Sequence, residues 1–471
     1  MKFVFYNTLT RKKEELKPLK KDKLDVFVCG PTVYDLSHIG HGRIYVVFDS
    51  IVKTLKKNGL RVRYLQNITD VDDKIIDRAR LTNKTPKALA REFEKEYLKD
   101  MKALKIDSVD IYARASDHIA EIISQIERLL EKGFAYIASS GIYFEVNKFD
   151  DYGKLSGQKL EDKFNTERVE HDPEKKNQKD FALWKRSSFD KAQDKKSEPS
   201  WPSPWGMGRP GWHIEDTAIA EKYFGQQYDM HGGALDLIFP HHECEIAQIE
   251  AISNKKPYVN MWLHGGFLTV RGEKMSKSIG NIIVLRDLLK NYSAESFRLM
   301  ILQAHYRSPI DYDEDLIKQA EATSERLAEF YERVKQNKRN SSENNHLAEK
   351  IKNARENFWR AVGNDFDTPV AFAILFSFVK DINPLLDNSS LSKRETKSVI
   401  NLLEEINEVF GIIRKRTKQT APREIKDLAK ERELFRKEKR WAEADQTRKQ
   451  LSELGWVVED TPQGPKLKRI I

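Results

Sequence analysis

Apolar residues fall along the chain in short runs and helical spacings. From Asp25 to Asn67 there is a short apolar strand (VFVCG), a turn rich in Gly, Pro and His, a helix from about His41 to Lys57 ended by Gly59, and a second strand (RVRYLQN). A strand, a crossover helix and a strand open a doubly wound parallel sheet of the nucleotide-binding kind. Thr85 and Pro86 supply an N-cap and a first helical residue. Ser116 opens a helix with apolar positions Ile119, Ile122, Ile123, Ile126, Leu129 and Leu130, closed by Gly133. After the strand IYFEV the chain turns polar from about Asn147 to Ser200, and its charged segment from Arg186 to Glu198 reads as a surface loop.

Gly, Pro, Trp and His crowd between Trp201 and His242, a composition that suits site-forming loops between sheet strands. After Ser293 the spacing is helical over Ala294 to Gln303, Asp313 to about Lys338, Ala348 to Gly363, Thr368 to Asn383 and Glu395 to Val409, which predicts a helical bundle. The segment from Pro422 begins with a charged helix, passes Gly455 and ends in a strand-like WVVED and a basic tail. The expected fold class is α/β: a doubly wound parallel sheet over 1–292 with an inserted helical segment, a helical domain over 293–415, and a small C-terminal α/β module over 416–471.

Length agrees, since 471 residues exceed the roughly 250 to 300 at which single cores stop growing. The net charge of +9 favours a polyanionic partner without specifying one. Two cysteines, Cys29 and Cys244, are too few for a disulfide framework and fit a reducing compartment. No apolar run approaches the roughly 18 residues that span a bilayer, so a cytoplasmic, membrane-free monomer is expected.

Three groups of residues carry chemistry. His38, Ile39, Gly40 and His41 stand between the first strand and the first helix, where helix N-terminal amides favour a phosphate. Lys274-Met275-Ser276-Lys277-Ser278 offers two ammonium groups on a loop, suited to holding departing pyrophosphate. Cys29 ends the first strand, Asp216 follows GWHIE, and His241 and Glu245 are i and i+4 in HHECE, a spacing that puts two metal ligands on one helical face.

The first two groups match the HIGH and KMSKS signatures of class I aminoacyl-tRNA synthetases. With WPSPWG, GRPGWHIE, NITDVDDKII and FPHHE, the chain resembles the cysteinyl-tRNA synthetases from about Val4 to Gly464. That resemblance implies a Rossmann-type catalytic domain, a helical stem-contact domain (NDFDTPVAFAILF) and an anticodon module (KEKRWAEADQTRKQLSELGWVVEDTPQG). It implies L-cysteine, ATP with Mg2+ and tRNA(Cys) as substrates. His38 and His41 would stabilise the phosphates, Gly40 would let the backbone approach the nucleotide, Lys274 and Lys277 would hold pyrophosphate, and Asp236 would face the ATP ribose or adenine. Thr69, Trp212, His213 and His231 would line the cysteine pocket.

The family also carries zinc at the base of that pocket. A steric pocket separates isosteres by only about 100-fold, whereas zinc takes thiolate in strong preference to hydroxyl. Cys29, His241 and Glu245 fall on three of its ligand positions. At the fourth the family has cysteine and this chain has Asp216. Asp216 as ligand, Cys244 turned inward from i+3 of His241, and a weak or absent metal remain three alternatives, the first preferred. A second departure is Lys466-Leu467 after the TPQG turn, where the family has tryptophan. Two rival readings are a cysteine ligase to an amino-sugar and a non-catalytic tRNA-binding homologue.

Overall fold

The computed structural model describes residues 1–158, 172–187, 198–275, 279–337, 345–388, 391–414, 422–461 and 464–469. Met1–Arg414 forms one compact unit and Lys415–Ile471 a second. The first opens with a hairpin, β1 (Val4–Asn7) and β2 (Lys12–Glu15), followed by β3 (Lys23–Val28), α1 (Ile39–Lys57), β4 (Arg61–Ile68), α2 (Asp73–Leu81), α3 (Pro86–Ala103), β5 (Ile111–Arg114) and α4 (Ile119–Glu131). An antiparallel sheet of β6 (Ala135–Ile137), β7 (Gly141–Phe144), β8 (Phe181–Arg186) and β9 (Gly208–Pro210) is inserted here. The chain then returns through α5 (Trp212–Phe224), β10 (Tyr228–Ala234), α6 (Glu243–Ser253) and β11 (Val259–Gly265).

The central sheet has the order β11-β10-β3-β4-β5, and every pairing is parallel. Its central strand is apolar on both faces, as burial under helices on each side requires: Val26, Phe27 and Val28 of β3 are all inaccessible. Parallel pairing brings the carboxyl ends of β3, β4, β10 and β11 to one edge. Beyond the sheet lie β12 (Leu268–Val270), β13 (Glu273–Lys274), α7 (Leu285–Asn291), α8 (Ala294–Leu302) and β14 (Ile310–Tyr312). The helices α9 (Glu314–Gln336), α10 (Asn345–Gly363), α11 (Thr368–Asp387) and α12 (Lys393–Phe410) complete the unit, with Phe410 in ring contact with Phe358, Trp359, Phe366 and Phe372. The second unit pairs α13 (Arg423–Lys437) and α14 (Trp441–Glu453) with the hairpin β15 (Trp456–Thr461) and β16 (Gly464–Arg469), around Ile425, Ala429, Leu451, Trp456 and Val458.

Several expectations change. The polar stretch from Asn147 to Ser200 contains β8, whose Phe181, Ala182, Leu183 and Trp184 are buried; charged flanks masked this short run. The helix expected from Ser116 begins at Ile119, after a 3-10 turn over Ala115–Asp117. The first helix starts at Ile39, because the imidazole of His38 does the N-capping that Ser, Thr, Asp or Asn usually performs. The fourth bundle helix passes through Pro384 to Asp387, at the loss of one backbone hydrogen bond in its last turn. By length and composition that helix is also apolar enough to cross a bilayer, contrary to the sequence reading, yet Phe372, Leu375, Phe378 and Ile382 are buried in the bundle core. In the second unit a break at Lys439, with φ of 60°, makes two helices of one expected, and the basic tail is strand β16. The loop read around Arg186 to Glu198 and the one around Arg339 to Asn345 lie largely outside the described residues.

One buried ion pair ties the bundle to the sheet. Arg298 of α8 is inaccessible and donates to Asp49 Oδ2 (2.8 Å) and Ser50 Oγ (3.1 Å) of α1, to Leu104 O (3.1 Å) after α3, and to Phe410 O (2.6 Å) at the end of α12. Arg298→Met leaves Asp49 with Lys53 (3.0 Å) and the long backbone contacts of Asp107 and Ser108, and orphans two carbonyls. We expect it to destabilise the first unit by about 3 kcal/mol, read from the urea midpoint at unchanged m-value.

Candidate active site and metal centre

His38 stands at the carboxyl edge of the sheet as the N-cap of α1. Its Nδ1 accepts from Gly40 N–H (3.1 Å), and its own N–H donates to His41 Nδ1 (3.3 Å), so the two imidazoles close a reciprocal capping box with rings stacked 3.9 Å apart. Gly40 is required here: a Cβ would stand 2.9 Å from the His38 ring. Burial, then His38, then Lys74 hold His41 well below the usual imidazole range, so it is neutral and carries its proton on Nε2.

The segment beyond the lysine loop is tied to the same place. Ile39 N–H donates to Ile283 O (3.0 Å) and Leu285 N–H to Ser37 O (2.8 Å). Lys274 lies in β13 with its ammonium 3.6 Å from Asp236 Oδ2. Lys277 lies outside the described residues. The buried Arg43 of α1 donates to the carbonyls of Phe267 and Ser308, so α1 also braces the strand leading to this loop.

A cluster of buried donor atoms gathers around Cys29, directly after β3. Its Sγ lies 3.3 Å from Asp216 Oδ2, 3.3 Å from His231 Nε2 and 3.1 Å from His242 Nε2. His241 Nε2 is 3.1 Å from Asp216 Oδ2 and 3.1 Å from Glu245 Oε1. The second contact is off-line for a hydrogen bond, and neither oxygen of the inaccessible Glu245 has a hydrogen-bond donor. Two overlapping sets therefore have metal-ligand spacing: Cys29, Asp216, His241 and Glu245, which the sequence named, and Cys29, His231, His242 and Glu245. Cys244 belongs to neither, because its Sγ faces the hydroxyl of Tyr152 at 3.4 Å.

Electrostatics describe a shell short of positive charge. Burial, then Asp216 and Glu245, pushes the Cys29 thiol well up, and burial, then Asp216 and Glu215, pushes Glu245 up. Burial keeps His213, His231 and His242 neutral. A buried thiol and two carboxylates, one of them lacking any hydrogen-bond donor, form an environment compatible with a divalent ion.

Around this shell the expected pocket residues assemble. Trp212 stacks on His241 with centroids 4.3 Å apart, and His213 Nδ1 lies 2.9 Å from His241 Nδ1, a contact that orients the ring. Asn67 donates to Asp216 Oδ1 (2.6 Å) and Thr69 Oγ1 (3.2 Å), and Thr69 donates to Glu215. His231 Nδ1 meets the Tyr228 hydroxyl at 2.6 Å. The sequence reading missed His242, His264, Asn67 and Glu215. His242 Nδ1 bonds His264 Nε2 (2.8 Å), and His264 Nδ1 bonds Thr8 Oγ1 (2.8 Å). His242 had a visible signal in its place beside His241, but the turn there is wider than α: Ile238–His242 is a π turn, and α6 begins only at Glu243. Gly233 was a second signal, since a Cβ on it would come 2.8 Å from the His242 ring.

Known proteins bear on this geometry. The family described as tRNA synthetases class I (C) catalytic domain matches residues 15–322, a DALR domain matches 357–414, and a cysteinyl-tRNA ligase anticodon binding domain matches 419–465. A cysteine–tRNA ligase of Thermococcus gammatolerans is 47% identical, covering 99% of this chain and 98% of its own. One from Thermodesulfovibrio yellowstonii is 43% identical over 97% of each chain. Among solved structures, Mycobacterium tuberculosis methionyl-tRNA synthetase with methionyl-adenylate superposes with a TM-score of 0.62 at 16% identity, covering 83% of this chain and 92% of that one, a likeness of fold. With catalytic, DALR and anticodon-binding regions all matched and full-length relatives of one activity, the chain belongs to the cysteine–tRNA ligase family of class I aminoacyl-tRNA synthetases.

Proposed function

We propose that the chain activates L-cysteine with ATP and passes it to the 3′ end of tRNA(Cys) in the cytoplasm, selecting cysteine with a zinc ion held by Cys29, Asp216, His241 and Glu245. The observation that carries the zinc reading is the pair of donorless oxygens on buried Glu245, inside a shell of thiol, carboxylate and imidazole. When bound, zinc supplies a soft Lewis acid that prefers thiolate to hydroxyl. The chain's own groups do the rest. Trp212 and His213 hold the ring of His241, and Asn67 holds Asp216, so the donors are preorganised. Thr69 and His231 line the pocket in which cysteine is seated.

At the other end of the pocket, His38 and His41 present ring N–H groups at a helix N-terminus to the phosphates of ATP. The cysteine carboxylate attacks the α-phosphorus in line, and pyrophosphate departs with magnesium toward Lys274 and Lys277. Asp236, which draws the Lys274 ammonium inward at 3.6 Å, faces the nucleotide. A terminal ribose hydroxyl of the tRNA then takes the aminoacyl group. The anticodon-domain match over 419–465 favours tRNA over an amino-sugar acceptor. Leu467, where the family has an aromatic residue nearby, packs against the core of the second unit.

Cysteine-dependent exchange of pyrophosphate into ATP tests the reading. His41→Ala should lower exchange by about 100-fold with unfolding unchanged, and near wild-type exchange would sink the phosphate assignment. Metal content tests the shell: purified chain should carry close to one zinc, Asp216→Ala should lose most of it together with cysteine affinity, and Cys244→Ser should keep it. The reverse pattern would move the second sulfur into the site, and a zinc-free, fully active chain would refute both ligand sets. For the RNA step, removing residues after Pro422 should weaken aminoacylation while sparing exchange. Intact tRNA charging by that truncated chain would remove the anticodon assignment.

A further inference from the structure

Adenylate formation places growing negative charge on a leaving pyrophosphate, and the groups so far assigned to it bring little fixed positive charge from the helix side. The N-terminus of α1 contributes only amide dipoles and two imidazoles, of which His41 is neutral. The Lys274 ammonium is partly offset by Asp236 at 3.6 Å.

A cation does stand on that side, on α2. The loops after β3 and β4 run together: Thr32 bridges Thr69, Val33 N–H donates to Thr69 O (3.1 Å), and Thr69 N–H donates to Pro31 O (3.2 Å). This tie sets the start of α2 beside the loop that leads to His38. Asp72 caps the helix by accepting from Lys74 N–H (2.8 Å), which fixes the first turn. The Lys74 side chain is exposed, with Nζ 5.8 Å from the ring centroid of Tyr34, four residues before His38. Among the described residues it has no carboxylate at ion-pairing distance, whereas the charged groups around it are engaged: Asp73 with Lys185 and Arg209, and Arg80 with Asp77 and Glu198. Its charge reaches the phosphate motif, because it is one of the groups that hold His41 neutral. One turn further on, Arg78 points the same way, with Nη2 3.6 Å from Asp35 Oδ2 and a buried Nε lacking an acceptor.

We propose that Lys74, with Arg78 beside it, contacts the phosphates of ATP and the departing pyrophosphate from the side opposite the lysine loop, a role that rests on the adenylate-forming reading above. As the cysteine carboxylate oxygen bonds to the α-phosphorus, the bond from that phosphorus to the bridging oxygen breaks and its electron pair leaves with pyrophosphate. Lys74 keeps its protons throughout and donates hydrogen bonds that strengthen as that charge grows.

Cysteine-dependent ATP–pyrophosphate exchange, run without tRNA on the full zinc-loaded chain, tests this. Lys74→Ala should lower kcat by about 100-fold and raise KM for inorganic pyrophosphate, while KM for cysteine and the unfolding temperature stay put. Lys74→Arg should restore most of the rate, and Arg80→Ala, on the same helix, should match wild type. Wild-type exchange by Lys74→Ala would overturn the proposal. So would normal exchange with a loss confined to tRNA charging, which would make Lys74 a contact for RNA phosphate. Equal losses in Lys74→Arg and Lys74→Ala with a lowered unfolding temperature would reduce it to a structural role. A wild-type chain lacking exchange altogether would instead overturn the adenylate-forming reading itself.

Discussion

Parallel pairing of the central strands is the constraint from which the rest follows. Because β3, β4, β10 and β11 all run one way, their carboxyl ends share one edge, and residues distant in sequence must meet there. Cys29 leaves β3 with its N–H bound to Gly232 O (3.0 Å) of β10, and that register brings His231 to its sulfur. Crossover helices begin above the same edge, so α1 delivers His38 and His41, α5 delivers Trp212 to Asp216, and α6 delivers Glu245. Gly232 lets the sheet carry α1 so closely, since a Cβ there would stand 2.3 Å from the Phe48 ring.

The buried shell and the phosphate cap obey different economies of charge. Around Cys29 two carboxylates and a thiol are withdrawn from water, an arrangement whose cost is relieved by protonation or by a cation. At His41 burial drives the imidazole the other way, keeping a donor neutral beside a helix end. One folded edge thus carries a metal-compatible shell at one point and a helix N-terminus capped by imidazoles at another.

Much of this was legible because the chemistry is written in local spacing. His241 and Glu245 are four apart, and the two meet at 3.1 Å even though a π turn intervenes. Spacing alone left Asp216 and Cys244 both open, because it put Cys244 three residues from His241; the facing of Cys244 toward Tyr152 is a tertiary matter. His264 and Asn67 escaped for a similar reason, since each is one polar residue in a strand whose role depends on what the next strand carries. Strand β8 was hidden because four buried residues sit within a long polar stretch, and helix α1 was started late because histidine is an unusual cap. Lys277 was named from its motif and lies outside the described residues.

The hairpin at the start of the chain has a consequence for synthesis on the ribosome. Tyr6 N–H donates to Asp365 Oδ1 (2.8 Å) across 359 positions, Asp365 N–H donates to Val4 O (2.6 Å), and Thr8 N–H donates to Trp262 O (2.9 Å). None of these partners exists while the sheet's first strands are emerging. The Tyr6 amide must therefore wait, hydrated, until Asp365 leaves the exit tunnel, and closure of the first unit becomes a late event in translation. A ribosome stalled before that point would hold a nascent chain whose opening segment is still accessible to proteases and chaperones, whereas one stalled after it would not.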